Sequence, residues 1–240
     1  TGERDKKVLR AFEEACQGKG AKMLAPDKDF AVKISKQDLT GQEFLFEWEN
    51  EKYNGLKFPL LGEVQINNAT LAVMTAMILR EKGFNISEKS IKMGLAKVKC
   101  PGRLEILRKK PYVVLDCAKD PGAILELRKT IEELFNFDKL ILVIAVSDDK
   151  NIVAIVKNIA PVTDLVIVTR HGIKERVLDP GIIKTEFTKH DVEVIVKNNI
   201  NKAISEAKKQ ANQDDLILIT GSVFTVGEAR EIWYDGTRLK

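Results

Sequence analysis

Thr220-Gly221-Ser222 follows directly on the apolar run Leu216-Ile-Leu-Ile219, a small polar turn at the end of what reads as a strand buried on both faces. Backbone N–H groups at the start of a following helix favour anions, so Ser222 could receive a carboxylate; an ordinary strand-to-helix turn would use the same residues. A second stretch of this kind is Val113-Val-Leu-Asp-Cys-Ala-Lys-Asp-Pro121. Asp116 ends its strand, where open α/β sheets place ligand-binding groups. Its carboxylate could accept from sugar hydroxyls, or cap the helix opening at Pro121. Lys119, beside that helix start, could neutralise a terminal phosphate as a point charge, or face solvent. Arg103, after Pro101-Gly102, carries a guanidinium that could hold phosphate oxygens in bidentate fashion or pair with Glu105 at the surface. Asn68 stands at the start of an apolar helix, where a carboxamide can donate and accept at once, or cap.

Other residues invite blander readings. Gln17-Gly-Lys-Gly20 follows a helix rather than a strand, which makes it a helix stop and not a phosphate loop. His171 and His190 have no Cys, His or acidic partners at ligand spacing, so no metal site is expected. Cys117 has no neighbouring His to activate it and reads as a small packed residue. Glu228 and Arg230 read as structural, and Trp48 and Trp233 as core anchors.

The elements that position these residues change character near residue 100. Before it, residues 6–17 have helical spacing and stop at Gly18. Residues 22–24, 30–34, 43–48 and 56–60 read as strands, with turns at Lys36–Gly41 and Asn54-Gly55, an antiparallel meander. Helices are expected over 67–82 and 87–97, the second opening on a Ser cap. After Pro101-Gly102 strands at 104–107, 112–116, 140–146, 165–169, 192–196 and 216–220 alternate with helices at 121–135, 150–159, 181–188, 202–211 and 226–233. Alternation of this kind, with continuous apolar strands, predicts an α/β fold with a mostly parallel sheet covered by helices, and a domain boundary at about 98–103.

Length and composition narrow the rest. The 240 residues suffice for one large or two small domains. No apolar run approaches the roughly 18 residues of a membrane span, and the amino end lacks a signal pattern. The absence of an initiator Met points to a processed chain or a piece of something longer. Three scattered cysteines show neither a disulfide framework nor a zinc spacing, in keeping with a reducing cytoplasm. A net charge of +4, with Lys and Glu interspersed and no basic stripe interleaved with aromatics, does not favour nucleic acid but suits an anionic small ligand.

Five segments, in order, carry a resemblance to a known family. They are Pro59-Leu-Leu-Gly-Glu-Val-Gln-Ile-Asn-Asn-Ala69, Cys100-Pro-Gly-Arg-Leu-Glu105, Asp116-Cys-Ala-Lys-Asp-Pro121, Asp149-Lys150, and Thr220-Gly-Ser222 with Val226-Gly-Glu228 and Arg230. Together they resemble the carboxyl-terminal half of folylpolyglutamate synthase/dihydrofolate synthase, of the Mur ligase superfamily. The resemblance implies a Rossmann-like carboxyl-terminal domain over residues 101–240, preceded by the tail of a central ATPase domain over 1–100. It implies a ligase that uses ATP, with Mg2+, to phosphorylate a carboxylate, whose acyl phosphate is then attacked by the amine of an amino acid, usually glutamate. The acceptor would be a folate or another carboxylate. On the same footing Asn68 would contact the adenine, while Arg103, Asp116 and Lys119 would bind the nucleotide, and Ser222 the amino acid. The implied partner is an upstream phosphate-loop domain.

The chain also departs from the pattern. It has no G-x-x-x-x-G-K-[ST], and the family's magnesium-binding residues lie upstream. Val64 stands where the family has one His and Lys119 where it has another. Asp120 replaces an Asn and Cys117 a Gly. The expectation is therefore part of an ATP-dependent ligase in which this portion contacts nucleotide, binds the amino acid and closes the site, inactive by itself. Two alternatives stay open: a non-catalytic module that keeps the ligase fold, and a Mur-type ligase acting on a cell-wall or other cofactor precursor.

Overall fold

The computed structural model describes residues 1–234 and divides the chain into two compact units, Thr1–Lys99 and Cys100–Lys240. Among the described residues no helix is long and apolar enough to cross a membrane.

The first unit runs α1 (Lys6–Gln17), β1 (Phe30–Asp38), β2 (Gly41–Trp48), β3 (Glu51–Phe58), α2 (Glu63–Glu81) and α3 (Glu88–Ala96). The three strands form one antiparallel sheet in sequence order. Every second residue of β2 is buried, so Phe44, Phe46 and Trp48 point to one side. There they meet Tyr53, Leu56 and Phe58 of β3 and Ile66, Val73, Met74 and Met77 of α2.

Three sequence expectations change here. Asn54-Gly55 is not a turn. It lies inside β3, where two residues of that strand oppose one of β2 between the Phe44–Leu56 and Phe46–Tyr53 pairs, and Gly55 takes φ 62°. This β-bulge uses the glycine as a kink, while the hairpin turns at Glu49 and Asn50, with Glu49 at φ 53°. Residues 22–24 form no strand. Helix α2 starts one turn earlier than the apolar spacing suggested, because Gly62, at φ 93°, ends the preceding loop.

The second unit runs β4 (Glu105–Lys109), β5 (Tyr112–Leu115), α4 (Pro121–Leu134), β6 (Leu140–Ile144), α5 (Ile152–Ile159), β7 (Leu165–Val168), α6 (Pro180–Thr188), β8 (Glu193–Val196), α7 (Ile200–Gln210), β9 (Leu216–Thr220) and α8 (Val223–Tyr234). The six strands lie in the order β4-β5-β9-β6-β7-β8, parallel except for β4 against β5. The expected α/β, mostly parallel sheet is therefore present. Val113, Leu115, Ile141, Val143, Ile167, Ile217 and Ile219 face one side, packed on Ile200, Ala203, Ile204 and Ala207 of α7 and Val226 and Ala229 of α8. Their alternates Val114, Leu142, Val166 and Leu218 are also buried, as are Ile124, Ile131, Ile155, Ile159, Ile183 and Phe187 of α4–α6. Burial on both faces explains the continuous apolar strands, and each such side chain contributes about 1.5–3 kcal/mol.

The last strand in sequence, β9, inserts between β5 and β6. The chain leaves β9 into a helix on the α7 side, while β5 and β6 lead into helices that contribute nothing to that cluster. Neighbouring strands whose following helices diverge leave a crevice at their carboxyl ends, where open α/β sheets bind ligands.

Candidate functional site

At the carboxyl end of β5, Asp116 holds the chain around it together. Its Oδ2 accepts from the Leu104 N–H at 2.9 Å and its Oδ1 from the Ala118 N–H at 2.8 Å. Cys117 N–H donates to Gly102 O at 2.9 Å. The turn bearing Arg103 is thus laced to residues 116–118. Burial pushes the Asp116 carboxyl above its ordinary range, while the two N–H donors and the nearby Arg103 guanidinium pull it back. Asp116 does not cap α4; Asp120 does, its side chain accepting from Ala123 N–H at 2.9 Å.

The half-buried Arg103 donates from Nη1 to Gly102 O at 3.4 Å and lies against the Cys117 thiol. Glu105, the surface partner suggested for it, instead accepts from Arg230 Nε at 3.0 Å and from Gly102 N–H at 2.8 Å. Arg230 and Glu105 are 125 positions apart, a tie that local spacing could not reveal. Burial raises the Cys117 thiol, and Arg103 opposes this. The thiol packs closely over Gly102, where an added Cβ would stand 2.8 Å from Sγ. Lys119 is exposed.

The neighbouring turn after β9 joins the same framework. Ala118 O accepts from Gly221 N–H at 3.0 Å and from Thr220 Oγ1 at 3.2 Å. Ser222, 3% exposed, accepts at Oγ from Phe224 N–H at 3.1 Å, and its carbonyl accepts from Val226 N–H. It therefore caps α8, which begins at Val223, a turn earlier than the sequence suggested. The Ser222 hydroxyl also carries a donor proton. Arg103, Asp116 and Ser222 thus sit on three segments bonded to one another, with Lys119 on the outer side of the middle one.

Alongside, Thr225 Oγ1 of α8 donates to Ala145 O at 3.0 Å, beyond the end of β6. The following turn carries the Asp149–Lys150 ion pair, and hydrogen bonding to Lys150 holds the Asp149 carboxyl below its usual range. The loop after β7 is pinned to α8 by Glu228, whose Oε1 accepts from Gly172 N–H.

Asn68 belongs to the first unit. It lies inside α2, exposed, with Nδ2 donating to Gln65 Oε1 at 3.3 Å, while the N-cap is Gly62. It does not cap the helix. Among the described residues no group of three or more His, Cys, Asp or Glu could hold a metal ion.

Residues 102–223 match the family described as Mur ligase, glutamate ligase domain. The chain belongs to the Mur ligase family. Among its relatives, the dihydrofolate synthase/folylpolyglutamate synthase of Mycobacterium tuberculosis is 29% identical over 230 residues, covering 89% of this chain and 47% of that protein. The folylpolyglutamate synthase structure from the same organism, complexed with ADP and AMPPCP, superposes with a TM-score of 0.87 at 29% identity, over 97% of this chain and 54% of that one. The enzyme from Thermotoga maritima gives 0.78 at 32% identity, over 98% and 54%. This Mur ligase chain spans about half the length of the relatives it matches.

Proposed function

We propose that this chain is the nucleotide- and amino-acid-contacting part of an ATP-dependent, ADP-forming acid–amino acid ligase similar to folylpolyglutamate synthase. The observation that carries the reading is the laced set of turns holding Arg103, Asp116 and Ser222 at the carboxyl edge of the sheet, within the stretch that matches the glutamate ligase domain. The 29% identical relative complexed with ADP and AMPPCP supports a nucleotide as ligand.

In this reading Arg103 and Lys119 hold phosphate oxygens, Arg103 by its planar fork and Lys119 as a mobile point charge. Charge held there stabilises the transferring phosphoryl group. Asp116 keeps the Arg103 turn in place and offers remaining lone pairs to ribose hydroxyls. The resemblance makes Asn68, in the first unit, a candidate for contact with the base. Ser222, at the positive end of α8, receives a carboxylate of the incoming amino acid, usually glutamate. The acceptor is a folate-like carboxylate. Closure would exclude water and bring amine and acyl phosphate together. The resemblance assigns the ligands of the Mg2+ that accompanies ATP mostly to the upstream part, so in this reading the chain's share is binding and orientation.

The exposed Lys119 in place of a His favours a second reading, a ligase fold kept for binding or assembly after its chemistry was lost. Equilibrium dialysis with ATP separates them. Saturable binding that weakens at least about tenfold in Arg103→Ala, the loss of one charge-assisted contact, supports the ligase reading. No saturable binding supports the module. Amide formation by the isolated chain given Mg-ATP, a folate and glutamate would overturn the claim that it is inactive alone.

A further inference from the structure

His171 is 2% exposed, and neither of its ring nitrogens has a hydrogen-bond partner among the described residues. Two residues earlier, the buried Thr169 hydroxyl also lacks one. Buried polar groups are nearly always paired, and a buried group left unpaired costs free energy, so such a pair calls for a reason.

Their position supplies one. The residues follow β7 at the carboxyl edge of the sheet. The His171 ring packs on Phe224, in the first turn of α8, with centroids 5.3 Å apart and planes at 50°. Arg176 approaches the same Phe224 ring, its Cζ 5.8 Å from the centroid. Phe224 N–H in turn donates to Ser222 Oγ. The charged groups facing His171 are Glu228 of α8 and Arg176 of its own loop. Glu228 already accepts from Gly172 N–H. Burial, with Arg176 adding to it and Glu228 opposing, holds the His171 pKa below its ordinary value. At neutral pH the ring therefore has one N–H donor and one acceptor nitrogen.

A donor imidazole, a guanidinium and the positive end of a 12-residue helix converge here, next to the Ser222 cap. All three favour an anion. We infer that His171 is a specificity residue for the incoming amino acid, donating a ring N–H to the carboxylate received at Ser222. The inference rests on the proposed placement of the amino acid at α8. Because the ring is only 2% exposed, contact entails a shift of the residues around it, which the carboxylate would then hold in place.

The protein has two histidines, which makes the test direct. Ring proton resonances of His171 and His190 are followed by NMR against pH, with and without L-glutamate. Saturating glutamate should shift the His171 resonance and raise its titration midpoint by roughly one pH unit, as a neighbouring carboxylate does, leaving His190 unchanged. His171→Phe keeps a ring against Phe224 and removes both nitrogens. It should fold and bind glutamate at least tenfold more weakly.

Wild-type affinity in His171→Phe, with binding lost in Ser222→Ala, would overturn the role of His171 and leave the amino acid at α8. Glutamate shifting neither His171 nor the amides of Ser222 and Phe224 would overturn both. A correctly placed His171 shift without the upward change in midpoint would also overturn the carboxylate contact.

Discussion

Gly221→Ala is expected to remove a large part of the stability of the second unit. Gly221 lies between β9 and α8 at φ 101°. A Cβ there would stand 2.7 Å from Ala145 O, 2.8 Å from Ile144 Cγ1 and 3.2 Å from Val146 Cγ2. The positive φ costs a residue with a β-carbon about 1–2 kcal/mol. Ala145 O is backbone and already accepts from Thr225 Oγ1 at 3.0 Å, so it cannot recede without loosening α8. Overpacking against such a neighbour adds about 1–3 kcal/mol. The total, about 2–5 kcal/mol, compares with about 5–15 kcal/mol for a whole domain. Urea unfolding is the assay: the midpoint should fall by about 1–2.5 M for an m-value near 2 kcal/mol/M, with the slope unchanged. Gly122→Ala, in the same unit, is the control. A Cβ there meets Asp120 Oδ1 at 3.5 Å, an ordinary contact, and Ala favours a helix by about 0.5–1 kcal/mol. Finding Gly221→Ala within about 0.5 kcal/mol of that control would refute the close approach of β6 to the Ser222 turn.

Three further outcomes follow from the same geometry. Asp116→Asn replaces one of two acceptor oxygens by a donor facing a backbone N–H, and should destabilise by about 1–3 kcal/mol in thermal or urea unfolding. Because the Asp116 pKa is raised in the folded state, its contribution to stability is fully present below the unfolded carboxyl pKa of about 3.9 and is lost as pH rises through the folded value. The difference between wild type and Asp116→Asn should therefore change across that acidic window; a flat difference from pH 3 to 7 would contradict it. His171 has the opposite sign: its lowered pKa contributes stability above the unfolded value of about 6.5, lost as pH falls through the folded one. His171→Phe should flatten the pH dependence of unfolding below neutrality. Arg230→Ala breaks a pair with side chains only 17% and 18% exposed, and should cost about 1–3 kcal/mol by urea unfolding, well above the cost of removing Lys129 from its exposed pair with Glu126.

The sequence made the sheet legible because strands buried on both faces write themselves as short β-branched runs, as at Leu140–Ile144 and Leu216–Thr220. Asn54-Gly55 misled because a glycine at positive φ serves a bulge as well as a turn, and only strand register tells them apart. Arg103, Asp116 and Ser222 could be picked out from turn chemistry and strand ends. Their ties could not, since they run through backbone groups of Gly102, Leu104 and Ala118 whose identity carries no signal. Glu105 with Arg230, and His171 with Phe224, join positions far apart in the chain. In the sequence His171 shows only the lack of metal-ligand spacing, and the feature that matters, burial without a partner among the described residues, exists only in three dimensions.

The central claim is that the carboxyl edge around Arg103 and Asp116 binds a nucleotide. Titrating ADP into the 15N-labelled chain and following its backbone amides tests it most directly. Saturable shifts of Gly102, Arg103, Leu104, Ala118 and Lys119 are expected, with the far end of the sheet, at Glu193 and Lys139, unmoved. Shifts confined to other parts of the unit, or none at millimolar ADP, would contradict it.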